Sequence, residues 1–255
     1  MSILVVPDPH AKVGVSNRRF DWLGKLIYDL RPKTVVCMGD FADMESLCTY
    51  DRGKKGFEGR RYKADIEAAT DALERVTKPF HHHKKKRPRL VMLEGNHEHR
   101  IHRAIENDAI LDGTIGIEDL GYEDQWELVR YRGATPGLIE IDGISFAHFF
   151  TSGIMGRPIS GEHPAYQIIC KKHQSCVGAH SHVRDYCERN SANRKRIQAW
   201  VAGCYLDPTQ EEGYAGEANS MWWRGVLHLM PDNNGSWDYE TISIERIRNA
   251  YDKRR

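Results

Sequence analysis

The chain has 255 residues, with 37 lysines and arginines against 36 aspartates and glutamates, 13 histidines and a formal net charge of +1. A composition of 40% hydrophobic and 29% charged residues excludes fibrous and disordered chains, because it allows a sizeable hydrophobic core. No apolar run approaches the roughly 18 to 20 residues that span a bilayer, and the start of the chain lacks the features of a secretion signal, so we expect no membrane partner.

Alternating strand and helix patterns follow one another along the chain. Short apolar runs that end in polar or glycine residues predict β-strands at 3–6, 34–38, 90–93, 144–147 and 199–202. Apolar residues at helical spacing predict two intervening helices, one between Ser16 as N-cap and Pro32 and one ending near Pro79, and a third helix is expected at 98–109. The alternation predicts one α/β domain over residues 1–255, in which functional groups follow the carboxyl ends of strands.

The segment 52–89 concentrates positive charge. It holds 13 basic side chains against five acidic ones, a net +8, so the rest of the chain carries −7. We interpret it as a basic insertion. A solvated loop is one reading of such a segment, and a surface that binds a polyanion is the other, with Lys84, Lys85 and Lys86 as candidate substrate contacts.

The six cysteines form no C-x-x-C pair and no short-spaced framework. This spacing excludes a zinc ribbon and a disulfide scaffold. A reducing compartment fits such cysteines best, so we predict a cytoplasmic protein.

Side chains that bind metals follow the predicted strands. They occur as D-P-H at 8–10, G-D-F-A-D at 39–43, G-N-H-E at 95–98, a histidine at 148 and G-A-H-S-H at 178–182. Carboxylate, amide and imidazole ligands without thiols suit manganese, iron, zinc or nickel better than calcium or copper(I). A carboxylate such as Asp40 can bridge two ions about 3.5 to 4 Å apart, and such a pair stabilises the attacking and leaving oxygens in phosphoester hydrolysis.

Each motif alone is weak, but their order is specific. Together they resemble the calcineurin-like metallophosphoesterase superfamily, whose signature is D-x-H, G-D-x-x-D, G-N-H-[ED], H and G-H-x-H. The match runs from Asp8 to His182, with Ala179 where the family often has glycine. The resemblance implies a four-layer α/β/β/α sandwich with a di-metal site at the carboxyl edge of the strands.

The resemblance also implies two divalent transition metal ions, with manganese preferred and iron, zinc or nickel as alternatives. It assigns Asp8, His10 and His182 to one ion, Asp40 as the bridge, and Asn96, His148 and His180 to the other.

His97 is the catalytic residue that the resemblance implies. It would contact the phosphate and protonate the leaving oxygen, with Asp43 fixing its tautomer and raising its pKa, while a metal-bridging hydroxide attacks phosphorus. The alternative is that His97 only caps the following helix. Arg100 could reach the phosphate, although an exposed helical arginine is the plainer reading.

The substrate is less defined than the chemistry. Protein phosphatases of the superfamily read G-D-x-x-D-R-G, and the Met44 that follows Asp43 here counts against them. Trp222, Trp223 and Trp237 could stack bases, although tryptophan more often packs in a core. We predict a metal-dependent phosphodiesterase on nucleic acid or nucleotides, similar to exonuclease-like members in bacteria and phages. The alternatives are a phosphomonoesterase on phosphoprotein or nucleotide, and an inactive binding module.

Overall fold

The structure is a computed structural model that describes residues 2–81, 87–192, 194–213, 215–232 and 235–252. In chain order the strands are β1 (Ile3–Val6), β2 (Thr34–Cys37), β3 (Arg89–Leu93), β4 (Glu127–Val129), β5 (Leu138–Ile141), β6 (Ile144–Ala147), β7 (Thr151–Ser152), β8 (Arg157–Pro158), β9 (Cys176–Gly178), β10 (Arg184–Asn190), β11 (Arg196–Ala202), β12 (Gly225–Pro231) and β13 (Trp237–Ser243). The helices are α1 (Arg18–Leu30), α2 (Tyr62–Thr77), α3 (His99–Asn107), α4 (Pro164–Lys172) and α5 (Ile244–Tyr251).

The strands form two large sheets. The first has the order β13-β12-β1-β2-β3-β4, with β1 to β4 parallel and β12 antiparallel to β1. The second has the order β10-β11-β9-β6-β5, and β7 pairs with β8 in a separate hairpin. Among the described residues, no helix has the length and apolar character needed to cross a membrane.

The side chains of β1 show how the layers pack. Ile3 and Val5 point into the core between the two sheets, whereas Leu4 and Val6 point into the core beneath the helices, as the two-residue period of a strand requires. Helices α1, α2 and α5 cover the outer face of the first sheet, and α4 covers the second. The predicted four-layer α/β/β/α sandwich is therefore confirmed.

The predicted elements are present, with different ends. The first helix has Asn17 rather than Ser16 at its N-cap, and Ser16 Oγ only accepts from the Arg18 N–H at 3.3 Å. The helix expected at 98–109 ends at Asn107, because Asp108 is extended and a separate 3₁₀ turn follows. The basic segment 52–89 includes α2, which connects β2 to β3 and packs in the core. Lys84, Lys85 and Lys86 lie outside the described residues.

Candidate metal centre

The carboxyl ends of β1, β2 and β3 lie side by side, because these strands are parallel neighbours. Asp8, Asp40 and Asn96 follow them, and the loops after β6 and β9 add the predicted histidine ligands from the second sheet. The structure thus brings all seven predicted ligand positions together at one edge of the sandwich.

The distances between donor atoms are those of a shared ion. His10 Nε2 lies 3.3 Å from His182 Nε2, and His182 Nε2 lies 3.4 Å from Asp8 Oδ2. His148 Nε2 lies 3.3 Å from Asp40 Oδ2. Donors bound to one tetrahedral ion at roughly 2.0 to 2.1 Å are about 3.3 Å apart, so these atoms need little movement to share a cation.

The second group of ligands surrounds the same carboxylate. Asn96 Oδ1 lies 2.9 Å from His148 Nε2, and one donor atom each of Asp40, His148 and His180 lies within 4.8 Å of the others. His10 Nε2 is 3.8 Å from the same oxygen, Asp40 Oδ2. Asp40 therefore faces histidines of both predicted ligand groups, which is the position that a bridging carboxylate requires.

The buried carboxylate of Asp8 is incompletely hydrogen-bonded among the described residues. Its Oδ2 accepts from the His180 N–H at 2.6 Å, but its Oδ1 has no hydrogen-bond donor in the part of the chain that the structure describes. Burial raises the pKa of Asp8 to about 7, although neighbouring histidines oppose this rise. A divalent cation would compensate the buried carboxylate, so the residues fit the metal that the motifs imply.

The predicted histidine ligands differ in charge. Burial and the neighbouring imidazoles lower the pKa of His180 to about 4 and that of His182 well below its ordinary value, so both are neutral, the form that binds metals. Burial also opposes the charged form of His148, but Asp40 more than offsets it and raises the pKa of His148 to about 9. His148 Nδ1 donates to the Met38 carbonyl at 2.9 Å, which turns Nε2 toward Asp40.

The raised pKa of His148 predicts how the stabilisation of the fold by bound metal depends on pH. A pKa that folding raises from about 6.5 to about 9 stabilises the metal-free protein fully below pH 6.5, and this contribution is lost as the pH rises through 9. A bound cation supplies positive charge at any pH in this range. We therefore expect the increase in Tm caused by Mn²⁺, relative to chelator, to grow between about pH 6.5 and 8.5 in thermal unfolding scans. An increase that stays constant or shrinks would contradict this charge assignment.

Five of the seven predicted ligands have a left-handed backbone, which non-glycine residues rarely adopt. The φ angles are 36° at Asp8, 45° at His10, 49° at Asp40, 70° at His180 and 60° at His182. Such conformations cost free energy and persist where the surrounding structure enforces them, most often at functional sites.

Two motif glycines allow the loops after β2 and β3 to touch. A Cβ on Gly95 would lie 2.1 Å from Asp40 N and Oδ1, and a Cβ on Gly39 would lie 2.7 Å from Gly95 N. The fully buried Glu98 then joins these loops, because its carboxylate accepts from the N–H groups of Asp40, Ala42 and Gly95 at 2.8 to 2.9 Å. Glu98 belongs to the G-N-H-E motif, but sequence reasoning assigned no role to it.

Arg19 is a second positioning residue that sequence reasoning missed. It is fully buried, and it donates to the carbonyls of Pro9 and His10 at 2.8 and 3.0 Å and to that of Tyr205 at 3.2 Å. These bonds hold the loop of the first metal motif. Nothing in the sequence distinguishes Arg19 from an exposed helical arginine such as its neighbour Arg18.

His97 lies at the edge of the metal ligands, in contact with Asp43. Its Nδ1 lies 2.7 Å from Asp43 Oδ1 and 2.8 Å from the Asp43 carbonyl, so Nδ1 must carry the donated proton. Burial lowers the pKa of His97, but Asp40 and Asp43 outweigh both burial and Arg100 and hold it above its ordinary value. Its Nε2 lies 3.9 Å from Asp40 Oδ2.

Comparison with protein families gives a match over nearly the whole chain. The model of the calcineurin-like phosphoesterases matches residues 1–247. The chain belongs to this family. Membership implies phosphoester hydrolysis. No curated protein matches the chain.

Among the solved structures that resemble this calcineurin-like phosphoesterase are two with 11% sequence identity. One is YfcE, a phosphoesterase from E. coli, with 11% identity, a TM-score of 0.41 and coverage of 96% of this chain and 100% of that chain. The other is TT1561 of Thermus thermophilus, with 11% identity, a TM-score of 0.43 and coverage of 95% and 98%. At this level of similarity, neither structure indicates the substrate of this chain or the roles of its residues.

A cavity of about 680 Å³ lies beside the candidate metal centre. Its walls include the predicted ligands Asp40, Asn96 and His180, together with His97, Tyr50, Lys54, Arg100 and Trp222. Arg100 is partly buried rather than on a free helix surface, because its guanidinium donates to the Asp43 carbonyl at 2.8 Å and contacts His97 Nε2 at 3.0 Å. Arg100 therefore lies on the cavity wall beside His97, and its contact with a phosphate stays a prediction.

The three tryptophans named as candidates for base stacking have different environments. Trp222 lies on the cavity with its ring edge-on to His182, at a centroid distance of 4.4 Å. Trp223 lies under the Arg184 guanidinium, and Trp237 is buried between the two sheets. Only Trp222 of the three lines the cavity.

Proposed function

We propose that this calcineurin-like phosphoesterase is a two-metal phosphodiesterase whose substrates are nucleotides or short nucleic acids. The observation that carries the proposal is the ring of donor atoms around Asp40, with histidines of both ligand groups facing one carboxylate oxygen. Manganese is the ion that we propose first, because oxygen and imidazole donors suit it and no thiol takes part.

We propose the ligand assignment that the family resemblance implies, and the donor distances support it. Asp8, His10 and His182 would hold one ion, Asn96, His148 and His180 the other, and Asp40 both. Two such cations, when bound, neutralise charge on the phosphate and lower the pKa of water. The protein side chains supply orientation and proton transfer.

His97 is the proposed general acid. Asp43 accepts the proton of Nδ1 and leaves Nε2 directed at the cavity, where it can give a proton to the leaving oxygen. Arg100 donates through Nη1 to the carbonyls of Asp43 and Met44, and its Nη2 lies 3.0 Å from His97 Nε2. A guanidinium can only donate, so this contact requires an unprotonated Nε2, and Nε2 can hold the acidic proton only after Nη2 has turned to the substrate. We propose that the guanidinium then binds a phosphate oxygen, which would align the ester bond with His97.

The walls of the cavity favour nucleotides over long polyanions. Its volume of about 680 Å³ falls within the usual range of small-molecule sites, and Tyr50 and Trp222 offer aromatic surfaces. Five of the ten basic side chains that the structure describes in the basic segment are paired with acids. The pairs are Lys54 with Asp51, Arg60 with Asp51 and Glu45, Lys63 with Glu67, Arg75 with Asp21 and Asp71, and Arg89 with Glu127.

A comparison of simple esters tests the proposed reaction. With Mn²⁺ present, we expect bis-p-nitrophenyl phosphate to be hydrolysed with a higher kcat/KM than p-nitrophenyl phosphate, and labelled short oligonucleotides to be cleaved. Turnover of monoesters alone, without salt-sensitive DNA binding, would favour the phosphomonoesterase and contradict the proposal. Repeating the assay with Fe²⁺, Zn²⁺ and Ni²⁺ tests the choice of metal.

Trp222 should affect nucleotide binding more than chemistry. We expect Trp222→Leu to raise KM for a nucleotide diester by about tenfold, because base stacking contributes about 1 to 3 kcal/mol. A methyl phosphodiester without a ring should show an unchanged KM, and bound metal should stay at the wild-type level. Tyr166→Leu, on the exposed face of α4, is the matched control. An equal rise of KM for both substrates would contradict a stacking role.

We also propose a cytoplasmic location. All six cysteines are free thiols, and Cys37, Cys48, Cys176 and Cys204 among them are buried. Free thiols in this number suit a reducing compartment. Detection of the protein only in an oxidising compartment of its source cell would contradict this proposal.

A further inference from the structure

A second group of metal-binding side chains lies outside the proposed di-metal centre. Glu94, directly after β3, and His99 and His102, on α3, each offer one donor atom, and these three atoms lie within 4.8 Å of one another. The two histidines are three residues apart, so they share one face of the helix. None of the three belongs to the seven proposed ligands around Asp40.

The carboxylate of Glu94 is buried and held in place. Its side chain has 0% exposure, and its Oε2 accepts from the Tyr131 N–H at 2.7 Å. This bond leaves Oε1 facing His99 Nδ1 at 3.1 Å and His102 Nε2 at 3.4 Å. Within the described ranges, these imidazoles are the only ion-pair partners of Glu94 within 4 Å, so no lysine or arginine compensates its charge.

The spacing of these donors matches that of a coordinated ion. Oxygen and nitrogen donors on one tetrahedral cation lie about 3.3 Å apart, close to the 3.1 and 3.4 Å seen here. The His99 ring is fixed by stacking on Tyr131, with centroids 4.2 Å apart and planes inclined by 15°. Two of the three donors, those of Glu94 and His99, are therefore held in place before any ion binds.

The two histidines of the cluster also border a cavity. A cavity of about 650 Å³ is lined by His99 and His102, together with Asn96, Arg103, Tyr131 and Phe149. Three protein ligands and an accessible fourth position are the arrangement of zinc sites that accept water or an anionic oxygen. Arg103 on the same wall would assist an anionic ligand.

We propose that Glu94, His99 and His102 form a third metal site, which takes a divalent transition metal ion of the zinc type and keeps a coordination position open to the adjoining cavity. The competing explanation is that two imidazole N–H groups donate hydrogen bonds to Glu94 Oε1. The two explanations differ in the number of ions that the chain binds.

The number of metal ions bound per chain distinguishes the two explanations. The purified full chain is freed of metal with chelator, dialysed against a small excess of Zn²⁺, desalted and analysed for zinc per chain. We expect His102→Gln and Glu94→Gln each to bind one ion fewer than the wild-type chain. Glutamine at 94 keeps an oxygen for the Tyr131 N–H, and His102 is partly exposed, so thermal unfolding in chelator should report folded variants. His163→Gln, at an exposed position outside both clusters, should bind as many ions as the wild type.

The difference of one ion does not depend on how many ions the Asp40 centre holds. Equal zinc content in the wild-type chain and in both folded variants would overturn the proposal. If only one of the two variants folds, that variant decides by the same criterion.

Discussion

Asp40→Asn is expected to lower kcat/KM for phosphodiesters by at least about 10³-fold, because a bridging ligand supports several kcal/mol of transition-state stabilisation. The carboxylate is ionised, since His148, His97 and His10 outweigh burial and hold its pKa well below the ordinary value. Asparagine keeps the Oδ1 acceptor for the His97 N–H at 2.8 Å but removes the negative charge that the proposed pair of ions would share. Kinetics and metal analysis of the same preparation check the result, with fewer ions bound per chain expected.

Asp112→Asn is the matched control for this substitution. Asp112 is exposed and lies outside the metal centre, so the same change in charge should leave activity and metal content at the wild-type level. An Asp40→Asn protein that keeps both its metal content and its activity would contradict the bridging role of Asp40.

His97→Ala is expected to retain the metals and to lose turnover according to the leaving group. General acid catalysis contributes about 10² to 10⁴-fold, so alkyl esters, whose leaving oxygen needs a proton, should lose that much in kcat. A p-nitrophenolate leaves without a proton, and its ester should lose much less. Measuring kcat over a series of leaving groups of rising pKa checks this expectation, because the variant should give a steeper dependence than the wild type.

The control for this variant is an unrelated histidine. His163→Ala removes an exposed imidazole outside the site and should leave the leaving-group dependence unchanged. Loss of metal from His97→Ala would mean that His97 is a ligand. An equal loss for all leaving groups would mean that it acts by positioning, not as an acid.

The sequence predicted the part of the fold whose signals are local. Strands β1, β2 and β3 are continuous apolar runs because parallel strands are buried on both faces, and the ligands follow them directly. The distant pairing of β1 with β12, where Leu4 opposes His228, has no local signal. Strand β10, at the sheet edge, has five polar residues among seven and no buried one, so its sequence does not differ from that of a loop.

The residues of the candidate site also differ in whether a local sequence signal identifies them. Asp8, Asp40 and His97 lie in motifs of fixed spacing, so they could be identified without coordinates. Trp222 reaches the cavity through a long irregular segment after β11, and Arg19 supports the first motif loop from a helix. Residues that act through tertiary contact need the structure, because their sequence neighbours do not reveal what they touch.

Anomalous diffraction from crystals of the chain equilibrated with Mn²⁺ tests the two-metal centre. We expect two peaks about 3.5 to 4 Å apart with the Asp40 carboxylate between them. One peak should contact Asp8, His10 and His182, and the other Asn96, His148 and His180. A single peak, or manganese bound away from Asp40, would contradict the two-metal centre.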